Sequence, residues 1–175
     1  MSSSSLFLLD GAGSFSGAGS FAGVGGFDVP LNGDVAITAD FDARKSIYIT
    51  GADKYILKPT IRLIVDNQAG QIVGGVSNLP PDTDLIIFAY EDGTYSESEA
   101  ADPVDELTPR FPNAITSDDI CEDYGYKLAF LAPGMYDLVI AAYVDGEFTE
   151  VLGIVEDVTV ESNKATNVPI DISSF

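Results

Sequence analysis

The sequence predicts an all-β protein, an antiparallel Greek-key β-sandwich preceded by a partial N-terminal β-sandwich unit. Two observations carry the prediction. Val, Ile, Thr, Tyr and Phe come in short alternating bursts, each closed by Gly, Pro, Asn or Asp, as half-buried strands and their turns require. An apolar content of 46% supplies enough material for a packed core. A third observation concerns organisation. Residues 1–65 hold six acidic and five basic side chains, a net of −1, whereas residues 66–175 hold twenty-two and three, a net of −19. So sharp a change predicts a boundary near Asp66, with a Ser/Gly/Phe segment over 1–26, a partial unit over 27–66 and the sandwich over 67–175.

The first segment reads GAGSFSGAGSFAGVGGF from Gly11 to Phe27, which sets Phe15, Phe21 and Phe27 six residues apart. Six is even, so in an extended strand all three rings fall on one face at steps of roughly 20 Å. Two readings follow: a flexible linker, or a strand lying in an apolar groove of its own or a neighbouring molecule with the rings as anchors. Asn32-Gly33 marks a turn into a strand in which Val35, Ile37, Ala39 and Phe41 alternate with Ala36, Thr38, Asp40 and Asp42. Strands follow over Ile47–Thr50 and Tyr55–Val65 around a Gly51-Ala52-Asp53 turn, and the Lys58-Pro59 step belongs at an edge or a bulge because proline has no N–H. Arg44, Lys45, Lys54, Lys58 and Arg62 crowd this region, either as a solvated edge or as a docking face for the acidic half or an acidic partner.

In the acidic half, strands are expected over Gln71–Val76, Leu85–Tyr90, Tyr124–Leu131, Met135–Val144, Glu147–Val151 and Val155–Val160, with Val168, Ile170 and Ile172 forming the last. Leu85, Ile87 and Ala89 point to one side of their strand, and Ile86, Phe88 and Tyr90 to the other. Asp145-Gly146 is a hairpin signal. Seven strands in roughly 100 residues with short turns predict a sandwich rather than an α/β fold.

The runs GQIVGGV, DLIIFAY, YGYKLAFLAPGMYDLVIAAY and VEDVTVESNKATNVPID resemble the transthyretin-like or carboxypeptidase-regulatory-like sandwiches, an Ig-like class, with Leu131, Pro133, Gly134 and Tyr136 in the L-x-P-G-x-Y turn. Upstream, the pattern DFD-x-RKS…Y-x-LKP-x-x-RL is similar to the end of a bacterial surface-lipoprotein family of unknown function that such a sandwich commonly follows. Together these cover roughly Gly26 to Ile172. The resemblance implies an exported, extracellular or cell-surface protein (periplasmic as an alternative address), with a lipid anchor upstream. The Met before a serine run reads as a trimmed start from which an export signal has been removed. Family members carry more chain before the equivalent of Gly26. The first unit is therefore expected to be incomplete, its edge filled by residues Leu6–Phe27, the second domain or another molecule.

The one long connection, Glu91–Asp123, carries eleven acidic residues, Arg110 and three prolines, and is the best candidate binding surface. Within it Asp118, Asp119, Glu122 and Asp123 could offer oxygens to calcium, although no D-x-[DN]-x-[DN]-G spacing accompanies them and a solvated acidic loop is the plainer reading. No cofactor is otherwise implied. Histidine is absent and Cys121 is the single thiol, which removes His-based acid/base chemistry, zinc fingers and intrachain disulfides. A net charge of −20 disfavours nucleic acid and anionic lipid surfaces, and no apolar run is long enough to span a bilayer. The expectation is a non-enzymatic binding or adhesion module that engages a protein partner or itself. The alternatives are a filament subunit assembled by strand donation from the N-terminal segment, and a carbohydrate-binding module using Tyr90, Tyr95, Tyr124 and Tyr126.

Overall fold

A computed structural model describes residues 36–50, 54–105, 107–120 and 124–175. Phe15, Phe21 and Phe27, both early turns, and Cys121, Glu122 and Asp123 lie outside the described residues.

The N-terminal part is a broken hairpin. Strand β1 (Ile37–Phe41) pairs antiparallel with β4 (Ile61–Val65), and β2 (Ile47–Thr50) with β3 (Lys54–Leu57). Between the two ladders a single turn of helix, α1 (Ala43–Ser46), faces the Lys58-Pro59 step, so the expected strand Tyr55–Val65 is split at proline. Ser46 bridges the gap. Its carbonyl accepts from the Lys58 amide at 2.8 Å and its buried hydroxyl oxygen accepts from the Thr60 amide at 2.8 Å. Asp42 caps the turn by accepting from the Lys45 amide at 3.1 Å.

β1 alternates as its sequence predicts, but the face expected to be buried is the outer one. Ile37, Ala39 and Phe41 are exposed, while Thr38 and Asp40 are half-buried. The cause is on the partner strand. Asp40 lies opposite Arg62, and their side chains pair at 2.7 Å while Arg62 also donates to the Ala129 carbonyl at 3.3 Å. Ile64, opposite Thr38, is buried on that same side. The polar pair and one isoleucine thus turn inward, and the apolar rungs turn out.

After a 3₁₀ turn (Asp66–Gln68) the chain builds two facing sheets. The strands are β5 (Gly70–Ser77), β6 (Asp84–Glu91), β7 (Thr116–Asp119), β8 (Gly125–Leu131), β9 (Gly134–Val144), β10 (Glu147–Val160), β11 (Ala165–Asn167) and β12 (Ile170–Asp171). One sheet runs β10-β9-β6-β7; in the other, β5 lies between β8 and the final strand, which Pro169 divides into β11 and β12. Ladders are antiparallel except for this last strand, which runs parallel to β5. Ile72, Leu85, Ile87, Leu128, Leu138 and Ile140 fill the space between the sheets.

Three local features explain why these residues form these elements. Gly74 sits opposite Tyr126, whose ring crosses it to donate its hydroxyl to the Val168 carbonyl at 2.6 Å; a Cβ at Gly74 would stand 2.0 Å from that carbonyl oxygen. In the Leu131–Tyr136 turn, Leu131 is buried and the Tyr136 hydroxyl donates back to the Ala132 carbonyl at 2.8 Å. Finally, the two strands expected over Glu147–Val151 and Val155–Val160 are one continuous β10 with three register shifts against β9. The last of these, between Val155 and Val158, contains Asp157 at φ 61°. Buried Asp137 secures it, accepting from the Asp157 amide at 3.3 Å and, through its other oxygen, from the Gly93 amide at 2.8 Å.

Candidate interaction surface

Both faces of β6 are buried. The two sets lie on opposite faces, as expected: Leu85, Ile87 and Ala89 enter the space between the sheets, while Ile86, Phe88 and Tyr90 join Val139 and Ala141 of β9 on the outer side of their sheet. An apolar outer face must be covered, and the connection from β6 to β7 covers it. Phe111 is the plug: it is fully buried, its ring centroid 4.4 Å from that of Phe88 and 5.6 Å from that of Phe148. Its φ of 57° is unusual for a bulky side chain, a backbone strain of order 1–3 kcal/mol held in place by this packing. Next to it Arg110 lays its guanidinium 4.2 Å from the Phe148 ring centroid and pairs with Asp102 at 2.7 Å.

A polar network ties the rest of the connection down. Glu99 accepts from the Tyr90 hydroxyl, the Asn113 amide and the Asn113 side chain, each at 3.0 Å. Burial, with the Glu99 charge added, pushes the Tyr90 phenol well above its ordinary range, so it remains a donor at any physiological pH. The hairpin clamps the far end: Lys45 donates to the Pro112 carbonyl at 2.9 Å and to that of Ala114, and Arg44 pairs with Asp119. Burial lowers the Lys45 pKa, opposed by the nearby Asp42 and Glu99 charges. Of the five clustered cations, Arg44, Lys45 and Arg62 therefore face the acidic half, as the docking reading expects, and Lys58 lies over the Tyr48 ring at 5.5 Å.

What this covered loop leaves in solvent is its tip. Val104 is 90% exposed and Leu107 is exposed beside it, with the carboxylates of Glu97, Asp102 and Asp105 in the same excursion. Asp105 shapes the tip by accepting from the Leu107 amide at 2.8 Å and the Thr108 hydroxyl at 2.9 Å, and the Thr108 bond first, then the amide, lowers its pKa.

The predicted site residues fare differently. Asp118 and Asp119 belong to strand β7 and not to a loop; Asp118 accepts from the Lys127 amide at 2.7 Å and Asp119 holds Arg44. Both are engaged by protein, and among the described residues no three metal-ligating side chains are close enough to hold an ion. The four tyrosines share no platform: Tyr90 and Tyr126 are buried in different clusters, Tyr95 is half-buried edge-on to Tyr90, and Tyr124 lines an open groove of about 540 Å³ with Pro80 and Pro81. Sequence reasoning assigned no role to Glu99, Phe111 or Asn113, and noted Arg110 only as the one cation of the connection. The available signal was Phe111 itself, a phenylalanine set between Pro109 and Pro112 in an otherwise acidic stretch.

No family model matches this chain. No curated protein matches it either. In backbone shape it is similar to a minor pilin of Streptococcus agalactiae, at 14% identity and a TM-score of 0.34 over 67% of this chain and 52% of that one. It is also similar to a candidate carbohydrate-binding protein of Pseudomonas aeruginosa, at 15% identity and 0.33 over 62% and 91% of the two chains. A candidate cell adhesion protein of Bacteroides fragilis matches at 11% and 0.28 over 67% and 46%. The chain spans about half the length of the first and third of these proteins. Scores this low carry no functional weight. Among the described residues no helix is long and apolar enough to cross a membrane.

Proposed function

We propose that this chain is a non-enzymatic binding or adhesion module of an exported surface protein, and that the tip of the β6-β7 connection is its recognition face. The observation that carries the reading is the contrast within that connection. Its base is locked by Phe111, Glu99 and Lys45, while its tip offers exposed Val104 and Leu107 among carboxylates. A recognition loop gains affinity when its ordering is complete before contact, and a rigid sandwich supplies that. An apolar tip in a connection that also exposes the Glu97 and Asp105 carboxylates fits a protein partner presenting an apolar recess bordered by lysine or arginine. Absence of histidine and of a nucleophile-base pairing in the sequence supports a role without catalysis.

The test is an array of purified cell-surface and matrix proteins and glycans probed with the full chain and with the double variant Val104→Ser/Leu107→Ser. Both positions are exposed, so the two proteins should melt together. At least one arrayed protein should be bound, with at least tenfold weaker binding by the variant. Binding that is absent throughout, confined to glycans or indifferent to the substitutions defeats the proposal.

A further inference from the structure

The outer face of the β1-β4 ladder is a row of three apolar pairs: Ile37 opposite Val65, Ala39 opposite Leu63 and Phe41 opposite Ile61. Ile37 and Phe41 are 39% and 45% exposed, and beyond α1 the second ladder adds Ile47 opposite Leu57 at 48% and 62%. No charged side chain interrupts the six positions on the first ladder. The opposite face is already committed to the sandwich through Arg62 and Ile64. Among the described residues nothing pairs with β1 except β4. Exposed apolar side chains gathered on one sheet face are uncommon in a protein that stays dispersed, and they ask for a cover.

We infer that the chain's own Gly11–Phe27 segment is that cover, seated on the outer face of the hairpin with Phe27 over the β1-β4 ladder and Phe21 over β2-β3. Four observations favour this occupant. Residues 1–35 join the described chain at Ala36, whose carbonyl accepts from the Asp66 amide at 3.0 Å as the last rung of this same hairpin. The segment contains no charged residue, matching a face without one. Its phenylalanines recur on an even period, so successive rings fall on one side at about 20 Å, and glycine, alanine and serine between them permit close approach.

The fourth observation is reach. The ten residues from Phe27 to Ile37 span at most about 36 Å, whereas the five residues of β1 occupy about 17 Å, and the connection holds the Asn32-Gly33 turn signal. Folding back onto the same hairpin is therefore within the tether. A short tether also presents the segment at an effective concentration near millimolar, far above that of a second molecule at micromolar protein. The same segment of another copy is chemically equivalent but loses that advantage. This inference is independent of the recognition role given to the β6-β7 tip.

The experiment compares the full chain with a full-length Phe15→Ser/Phe21→Ser/Phe27→Ser variant. It combines light scattering from 5 to 500 μM (about a hundredfold range, spanning the regime where a tether outcompetes a free copy), binding of a hydrophobic dye and amide hydrogen exchange. The natural chain should stay monomeric, and the variant should bind severalfold more dye and lose at least tenfold in protection across β1 and β4. Protection in β6 and β9 should be unchanged, which separates uncovering from unfolding. Phe41→Ser, on the receiving face, should reproduce the loss of protection in β4. Equal dye binding and equal exchange in the two proteins overturns the inference. So does concentration-dependent association, whether the triple variant abolishes it, which assigns the face to a second copy's segment, or leaves it intact, which assigns it to a second copy's own face.

Discussion

Replacing Phe111 with alanine tests whether the β6-β7 connection is part of the folded body or merely drapes over it. The ring is fully buried, with Phe88 and Phe148 as neighbours and the Arg110 guanidinium against Phe148 beside it. Removing a buried phenylalanine ring costs about 3–5 kcal/mol, the spread reflecting how far the site collapses. Collapse here is restricted on one side, because β6 and β9 are held in register along their whole pairing and cannot move outward to fill the void. A loss of about 4 kcal/mol is therefore expected. That is a large fraction of the 5–15 kcal/mol typical of a domain, and it corresponds to a melting point lower by about 8–16 °C. The backbone strain at φ 57° is not relieved by alanine, which is also restricted there, so no compensating gain is expected. Urea denaturation gives the free energy, and hydrogen exchange shows where the loss falls. Exchange should accelerate at Ile115, whose amide donates to the Ala89 carbonyl, before it does in Leu138 and Ile140. A loss below about 1 kcal/mol, with those amides unaffected, would show that the second cluster contributes little and that the loop has no rigid base from which to recognise anything.

Gly74→Ala should destabilise the sandwich by about 1–3 kcal/mol, since a Cβ would stand 2.0 Å from the Val168 carbonyl oxygen and 2.7 Å from the Tyr126 ring; a melting point within 1–2 °C of the natural protein (about half a kcal/mol or less) would contradict the close approach. The carboxyl of Asp171 accepts from the Asn78 side chain at 2.7 Å, from the Ser173 hydroxyl at 2.7 Å and from the Ser173 amide at 3.0 Å, and these bonds, the Asn78 one foremost, hold its pKa below the ordinary 3.8. Its folded value is depressed, so its contribution to stability is present above pH 3.8 and disappears as the pH falls through the folded value. A carboxyl titration followed by NMR should place the midpoint under 3.8 in the natural protein and closer to it in Asn78→Ala, whereas a midpoint at or above 3.8 in the natural protein would contradict the hydrogen bonding.

Much of the sandwich was legible because its strands are amphipathic or wholly apolar in simple period-two patterns. The two-sided burial of β6 could be read directly from Leu85, Ile87 and Ala89 against Ile86, Phe88 and Tyr90. What could not be read was the identity of the cover, because a single ring and a few polar anchors secure the loop and the rest of it follows no periodicity. β7 was hidden for a related reason: Thr116-Ser117-Asp118-Asp119 is an edge strand of polar residues, held by β6 on one side and by Lys127 and Arg44 through its carboxylates. In β10, the break expected between Val151 and Val155 is only a register shift at Val151 and Gly153, and the bulge falls instead at Glu156-Asp157, inside an expected strand, where Asp137, twenty positions earlier, accepts from the Asp157 amide. The inversion of β1 has the same character. Its apolar face is plain in the sequence, but which face turns inward is decided by Arg62 and Ile64 on a strand more than twenty residues away.

The parallel placement of the last strand along β5 sets how the sandwich bears tension. Gln71 pairs with Ala165 and Val76 with Ile170, so the point where the chain comes into the sandwich and the point where it leaves lie at opposite extremities. A load pulled through Gly70 and Asp171 runs lengthwise along the two strands and strains their hydrogen bonds together, in shear, instead of peeling them apart singly. Modules of this shape joined in series would hang in line, each passing the force to the next through β5 and the edge strand beside it.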